Sequence, residues 1–165
     1  MNEAHFHLLV NHLPIIFPLA GAIVLITGLF SKSEAVKRTA FMIFILGAIS
    51  AIFAMISGGG AEEVVEKLNE VSESFISNHE DSAKIFSILS YILGGVSIFG
   101  LWGSIKEKAF SNIVSIGILI FTFVVLFFAK QTGTSGGEIS HKEIRSGSIT
   151  APSSENTIKE NGVND

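Results

Sequence analysis

The chain reads as an all-α protein, a four-helix transmembrane bundle of up-down-up-down order with a short amphipathic helix in one outer loop. Three observations carry that expectation. Apolar residues make up 48% of the 165 positions against 16% charged, with fourteen Phe, a balance outside that of ordinary soluble domains. They are gathered into four blocks, each near the roughly 20 residues that a helix needs to cross a hydrocarbon layer. Each block is apolar around its whole circumference, as a lipid-embedded helix is, and the charges fall between the blocks.

In chain order, the expected spans are about 8–30, 39–57, 82–102 and 111–130, within a membrane domain covering 1–145. From Ala4 to Phe30 no ionisable residue other than histidine occurs. The third and fourth apolar runs are slightly short, so their helices should extend past the hydrocarbon or thin the bilayer locally. Gly58-Gly59-Gly60 should end the second span. Val64, Val65, Leu68, Val71, Phe75 and Ile76 then recur at helical spacing with glutamates opposite, which predicts the short amphipathic helix on the outer face. Asn78, with Asp81 three residues on, is expected to cap the third helix so that it begins at His79. Thr132 to Arg145 is glycine-punctuated, and the polar, acidic stretch 146–165 is expected to be a disordered tail.

The connections set the orientation. Lys32, Lys37 and Arg38 mark the first loop and Lys106 and Lys108 the third. The middle one carries Lys67 and Lys84 among Glu62, Glu63, Glu66, Glu70, Glu73, Glu80 and Asp81. The excess of basic residues puts loops one and three in the cytoplasm and both termini on the periplasmic side. Met1-Asn2-Glu3 is acidic where a signal peptide needs a basic start, so the first block is expected to be retained. A net charge of −4 offers no basic surface for nucleic acid. The absence of cysteine excludes disulfides, thiolate ligands, iron–sulfur clusters and thioether-linked haem. No dinucleotide fingerprint, Walker loop or Ser-His-Asp layout is present, so nothing points to a hydrolase.

Histidine is the residue type that carries chemistry. His5, His7 and His12 precede the first span, His79 opens the third and His141 follows the fourth, so all five fall at the outer interface. A histidine a few residues inside a span usually has a partner, and His12, two residues before Pro14, is best placed for one. On a continuous helix His5 and His12 differ by about 20° and share a face, whereas His7 and His12 diverge by roughly 140°. Pro14 and Pro18 each remove a helical hydrogen bond and should bend this end. A ligating imidazole gives one nitrogen to the metal and its other N–H to a carbonyl or carboxylate, a role for which Glu3, Asn11, Glu80 and Glu138 lie at suitable depth. Met55 is a conceivable axial thioether, although ordinary packing explains it as well. Gly21, Gly28, Gly47, Gly94, Gly95 and Gly100 suit close helix packing in lipid or room for a flat macrocycle. Gly133, Gly136 and Gly137, beside His141, suit backbone approaching a cofactor edge.

His7-Leu-Leu-Val-Asn-His12-Leu-Pro14 resembles the H-x-x-x-x-H-x-P opening of a bacterial family of four-helix predicted membrane proteins catalogued as a domain of unknown function. Thr132-Gly133-Thr-Ser-Gly136-Gly137-Glu138-Ile139-Ser140-His141 is similar to that family's closing T-G-x-x-G-G-x-[LI]-[ST]-H segment. Together the motifs bracket residues 5 to 145. Leu8 stands where a proline commonly follows the first histidine, which leaves open whether His7 precedes the helix or lies in it. The resemblance implies an integral protein of the bacterial inner membrane, and likeness to cytochrome-b-type bundles suggests haem.

The expectation is therefore a non-covalent b-type haem clamped by two imidazoles at the outer face, with His12 and His79 the first pair and His7 and His141 the second. Two strong-field nitrogens leave no open position, which suits electron transfer with a periplasmic or membrane redox partner. Two alternatives stay open. One is a cofactor-free assembly or scaffold subunit; the other is a divalent metal site drawn from His12, His79, His7, His141 and His5.

Overall fold

The computed structural model describes residues 3–67 and 72–145, and no strand occurs among them. Five helices run in order: α1 (Glu3–Val10), α2 (Leu13–Phe30), α3 (Glu34–Lys67), α4 (Glu73–Ile105) and α5 (Ser111–Ser140), followed by a 3₁₀ turn at Lys142–Ile144. Helices α2 to α5 form a closed ring, each packed on the next and α5 on α2, while α1 lies against α3. Among the described residues four stretches are long and apolar enough to cross a membrane: Ala4–Phe30, Glu34–Val64, Glu73–Ile105 and Ser111–Ser140.

The first stretch is two helices because of Pro14. Its nitrogen has no hydrogen to give the Val10 carbonyl, so α1 closes with the Asn11 amide on the His7 carbonyl at 2.9 Å. A new helix then opens with Ile16 donating to the His12 carbonyl at 3.0 Å. Pro18 sits inside α2 without breaking it. The glycine triplet 58–60, in contrast, does not stop α3, which continues to Lys67. Nor does Asn78 cap anything: α4 starts at Glu73 with Ser72, in extended conformation, before it. The residues expected to form a separate amphipathic helix belong instead to the extensions of α3 and α4, with Leu68 and Val71 outside the described residues. The tail 146–165 lies outside them too.

Two turns share one design. Ser33 donates to the Gly28 carbonyl at 3.0 Å and Lys32 to Leu29 at 3.3 Å; Lys108 donates to Gly103 at 2.9 Å and Glu107 to Ser104 at 3.2 Å. These are Schellman closures, whose left-handed residue is Lys32 (φ 51°) in one and Glu107 (φ 50°) in the other.

The bundle is apolar outside and small or hydroxylated inside. Ile23, Ile88, Phe123 and Phe127 are exposed, while Leu25, Phe41, Phe44, Leu93 and Val125 fill the core. Ser90, Ser97 and Ser104 recur every seven residues on the buried face of α4, and Ser111, Ser115 and Thr122 line α5. Three of these hydroxyls are satisfied by their own helix, Ser90 on Phe86 (2.9 Å), Ser115 on Ser111 (2.7 Å) and Thr122 on Ile118 (2.8 Å), while Ser97 and Ser111 are buried with no partner among the described residues. A buried hydroxyl that bonds the preceding turn adds little volume and leaves no orphaned donor, so the helices can close tightly.

At the turn end a charged cluster ties three helices together. Lys37, only 1% exposed, gives its ammonium to Glu34 and, at 2.6 Å, to Asn112 of α5. Ser104 donates to the other Glu34 oxygen at 2.6 Å. Arg38 reaches Ser104 twice, at its hydroxyl (2.9 Å) and at its carbonyl (2.7 Å), which satisfies a C-terminal carbonyl of α4.

Candidate functional site

At the opposite end the five histidines separate into two kinds. His7 and His79 are half-buried and held by partners on other helices; His5, His12 and His141 are exposed.

His7 projects from α1 onto α3, where its Nδ1 lies 3.0 Å from Ser57 Oγ. His79 projects from α4 onto α5, where its Nδ1 lies 3.1 Å from Ser135 Oγ. Each serine in turn donates to the carbonyl three residues back, Ser57 to Ala54 and Ser135 to Thr132, both at 3.1 Å. A hydroxyl has a single hydrogen to give. When that hydrogen goes to the carbonyl, the serine oxygen accepts from the ring and Nδ1 carries the proton. The polar edge of each ring also faces the same carbonyl as its serine, Ala54 for His7 and Thr132 for His79. In the Nδ1-protonated tautomer the neutral imidazole keeps its Nε2 lone pair unspent, the state in which histidine binds metals.

Glycine makes room for the His79 ring, and a glycine also borders the His7 ring. A side-chain carbon on Gly136 would meet His79 Cε1 at 3.0 Å and Nδ1 at 3.3 Å, and one on Gly58 would meet His7 Cε1 at 3.8 Å. The two seats thus share one tripeptide, Ser57-Gly58-Gly59 and Ser135-Gly136-Gly137. In both the serine lies against Nδ1, and at Gly136 the missing side chain lets the His79 ring lie against the helix.

His7 and His79 are within electrostatic range of each other, as are His7 and His12. The histidines with buried, anchored rings are therefore His7 and His79, one from each expected pair. His12 is the residue before α2, its side chain making no cap hydrogen bond; it falls at the break that Pro14 imposes. That break also removes the continuous helix on which a shared face for His5 and His12 depends. His141 follows α5 and pairs with Glu143 at 3.0 Å, both side chains well exposed. Between the first histidines, Asn11 buries its Oδ1 with no partner among the described residues.

The seatings expected to come from Asn11, Glu80 and Glu138 are made instead by Ser57 and Ser135; the Glu3 side chain lies outside the described ones. Glu80 pairs with Lys84 at 3.0 Å, and the Glu138 carbonyl accepts from Arg145 at 2.7 Å. Arg145 also lies over the Phe75 ring, 4.6 Å from its centroid, and so holds the chain after α5 against the start of α4. No group of three or more His, Asp, Glu or Cys side chains suited to a metal ion occurs among the described residues. Gly133 faces Ile15 and Gly137 faces Ile144, so of the closing glycines only Gly136 borders a histidine.

No protein-family model, curated protein or solved structure matches the chain.

Proposed function

We propose that this chain is a multi-pass protein of the bacterial inner membrane that holds a b-type haem between His7 and His79 at the outer face and passes electrons there. One observation carries the reading: two imidazoles from segments far apart in sequence are each proton-anchored at Nδ1 by a serine that is itself tied to a carbonyl. That arrangement leaves two Nε2 lone pairs at one end of the bundle. The donor set fits such a group, since both rings are held in the metal-binding tautomer and each has a glycine beside it. A haem with two imidazole ligands supplies one-electron exchange with no position open for oxygen. The chain's own contribution is orientation. Ser57 and Ser135 fix the ring planes, the carbonyls of Ala54 and Thr132 raise ring basicity through the anchored proton, and the exterior of Ile and Phe seats the bundle in lipid.

The up-down-up-down path follows from the same placement. Both basic turns fall at one end, in the cytoplasm by the positive-inside rule, and the histidines and both termini fall at the periplasmic end, where a redox partner would dock.

A second reading draws on the same contacts. His7 joins α1 to α3 and His79 joins α4 to α5 without any cofactor, which is what a scaffold subunit requires.

The absorption spectrum of protein purified in mild detergent decides between them. A Soret band that sharpens on reduction, lost in both His7→Ala and His79→Ala and kept in His12→Ala and His141→Ala, is the expected result. A colourless protein with bound divalent metal points to the metal site, and a colourless, metal-free protein leaves the scaffold.

A further inference from the structure

The turn end holds a second feature, unrelated to the histidines. A cleft of about 550 Å³ opens between α2, α3 and α5. Its walls are apolar, from Ile26 and Leu29 on one side and Ile116 and Leu119 on the other, and its polar end carries Lys32 and Lys37. Lys32 is exposed, held outward by its left-handed turn position. Lys37 is buried, its stem laid against Gly28, where an added carbon would meet Lys37 Cγ and its backbone nitrogen at 2.9 Å.

From this geometry we infer that the cleft binds one anionic phospholipid, its phosphate between Lys32 and Lys37 and an acyl chain along the α2–α5 furrow. Charge decides the headgroup. An ammonium has three N–H donors, and Lys37 gives two of them to Glu34 and Asn112, which leaves one for whatever enters the cleft it lines. Glu34, the carboxylate at the cleft, is ion-paired with Lys37 and accepts from Ser104, so that pair is close to neutral and Lys32 supplies the net positive charge that favours an anion. Shape decides the tail. The apolar walls start where the lysines end, so a ligand must be charged at one end and hydrocarbon along its length, and free phosphate would satisfy only half of the site. The other turn is a natural control: it has the same backbone closure at Glu107 and the same lysine content, Lys106 and Lys108, but its lysines do not line this cleft.

The inference rests on the membrane reading, and the two fail differently. If alkaline carbonate strips the chain from bacterial membranes, both fall. If it stays, native mass spectrometry of the detergent-purified full chain, offered phosphatidylglycerol and phosphatidylcholine with identical acyl chains, tests the site. One phosphatidylglycerol should be retained in preference. Lys32→Gln should weaken retention about fivefold, the worth of one lysine at an anionic lipid surface, and the double variant Lys106→Gln, Lys108→Gln should not change it. Lys37→Met, checked for native helicity, should abolish the preference. Equal retention of both lipids, an equal fall in the double variant, or displacement of the lipid by inorganic phosphate would each overturn the proposal.

Discussion

Gly94 and Gly95 are neighbours in sequence and opposites in surroundings, and alanine at each position separates packing from helix propensity. A carbon added at Gly94 would collide with the Ala48 methyl of α3 and would also come within 3.9 Å of the Phe44 carbonyl; at Gly95 nothing lies within 4 Å. Both colliding atoms at Gly94 are the first carbons off rigid helices, so no rotamer can relieve them. Carbon contacts are comfortable at about 3.5–4.0 Å, so α3 and α4 would have to part by about 1 Å or more. Overpacking of this kind costs about 1–3 kcal/mol, and the upper end is expected because parting these helices also pulls Arg38 from Ser104. Gly95→Ala should instead stabilise by up to about 1 kcal/mol, the gain in helix propensity. The two variants should therefore differ by roughly 2–4 kcal/mol in denaturant unfolding followed by far-UV circular dichroism in micelles. A gap below about 0.5 kcal/mol, the range of inconsequential surface changes, would refute the close α3–α4 contact.

Ser57→Ala and Ser135→Ala keep both imidazoles but release Nδ1; each should weaken haem retention about 10–100-fold, with Ser135→Thr restoring it, as measured by haem transfer to apomyoglobin. Glu34→Ala should destabilise far more than Lys37→Met, about 3–5 kcal/mol against about 1, because the first strands a buried ammonium and the second leaves a carboxylate that is 42% exposed and reaches water; equal thermal shifts would contradict the buried state of Lys37. The Glu143 carboxyl is held below its ordinary value by its own backbone N–H and by His141. Its pKa is lowered on folding, so its contribution is complete above about pH 4.3 and is lost as pH falls through the lower folded value. The 142–144 turn should loosen between about pH 5 and pH 3, read from the Ile144 amide resonance, and Glu143→Gln should remove that dependence.

The helices were legible because periodicity and block length are properties of the sequence alone; their ends were not. Gly58-Gly59-Gly60 carries a helix-ending signal, yet propensity costs of about 1 kcal/mol per glycine are overridden where α3 supplies the seat for His7. Asn78 is a good cap by composition, but Phe75 and Ile76 have partners to bury against, Ile76 being only 7% exposed, so α4 gains by starting before it. The bend at Pro14 was readable because a missing amide hydrogen is a local fact. That His7 and His79 are the histidines seated on serines of other helices was not, since it depends on which helix faces which. Still, the anchors had a signature: Ser-Gly-Gly occurs at 57–59 and again at 135–137, and a hydroxyl beside a missing side chain is what a ring needs to sit flat and be held.

The same close packing decides where in the bundle a flat cofactor can go. Room for a macrocycle along the glycines of the spans was one reading of the sequence, but each inward glycine is already filled. Phe44 lies on Gly21, Ala48 on Gly94, Ile118 and Phe41 on Gly100, and Phe17 and Pro18 on Gly47. Side chains of the bundle itself occupy the space that the missing carbons leave, so the middle third is closed at interior density. The hydroxyls there, Ser90 and Thr122 bonded to their own helices and Ser97 without a partner among the described residues, offer no ligand nitrogen. At the histidine end the α1–α3 contact is looser, a side-chain carbon on Gly58 lying at 3.8 Å from the His7 ring, and Asn11 keeps an oxygen with no partner among the described residues. The haem proposed above would therefore sit at the rim of the bundle, at the histidine end. Widening the core should accordingly leave its spectrum alone: Phe44→Ala, which empties the space over Gly21, should cost about 3–5 kcal/mol in stability without shifting the Soret maximum, whereas a shift would move the cofactor to the centre.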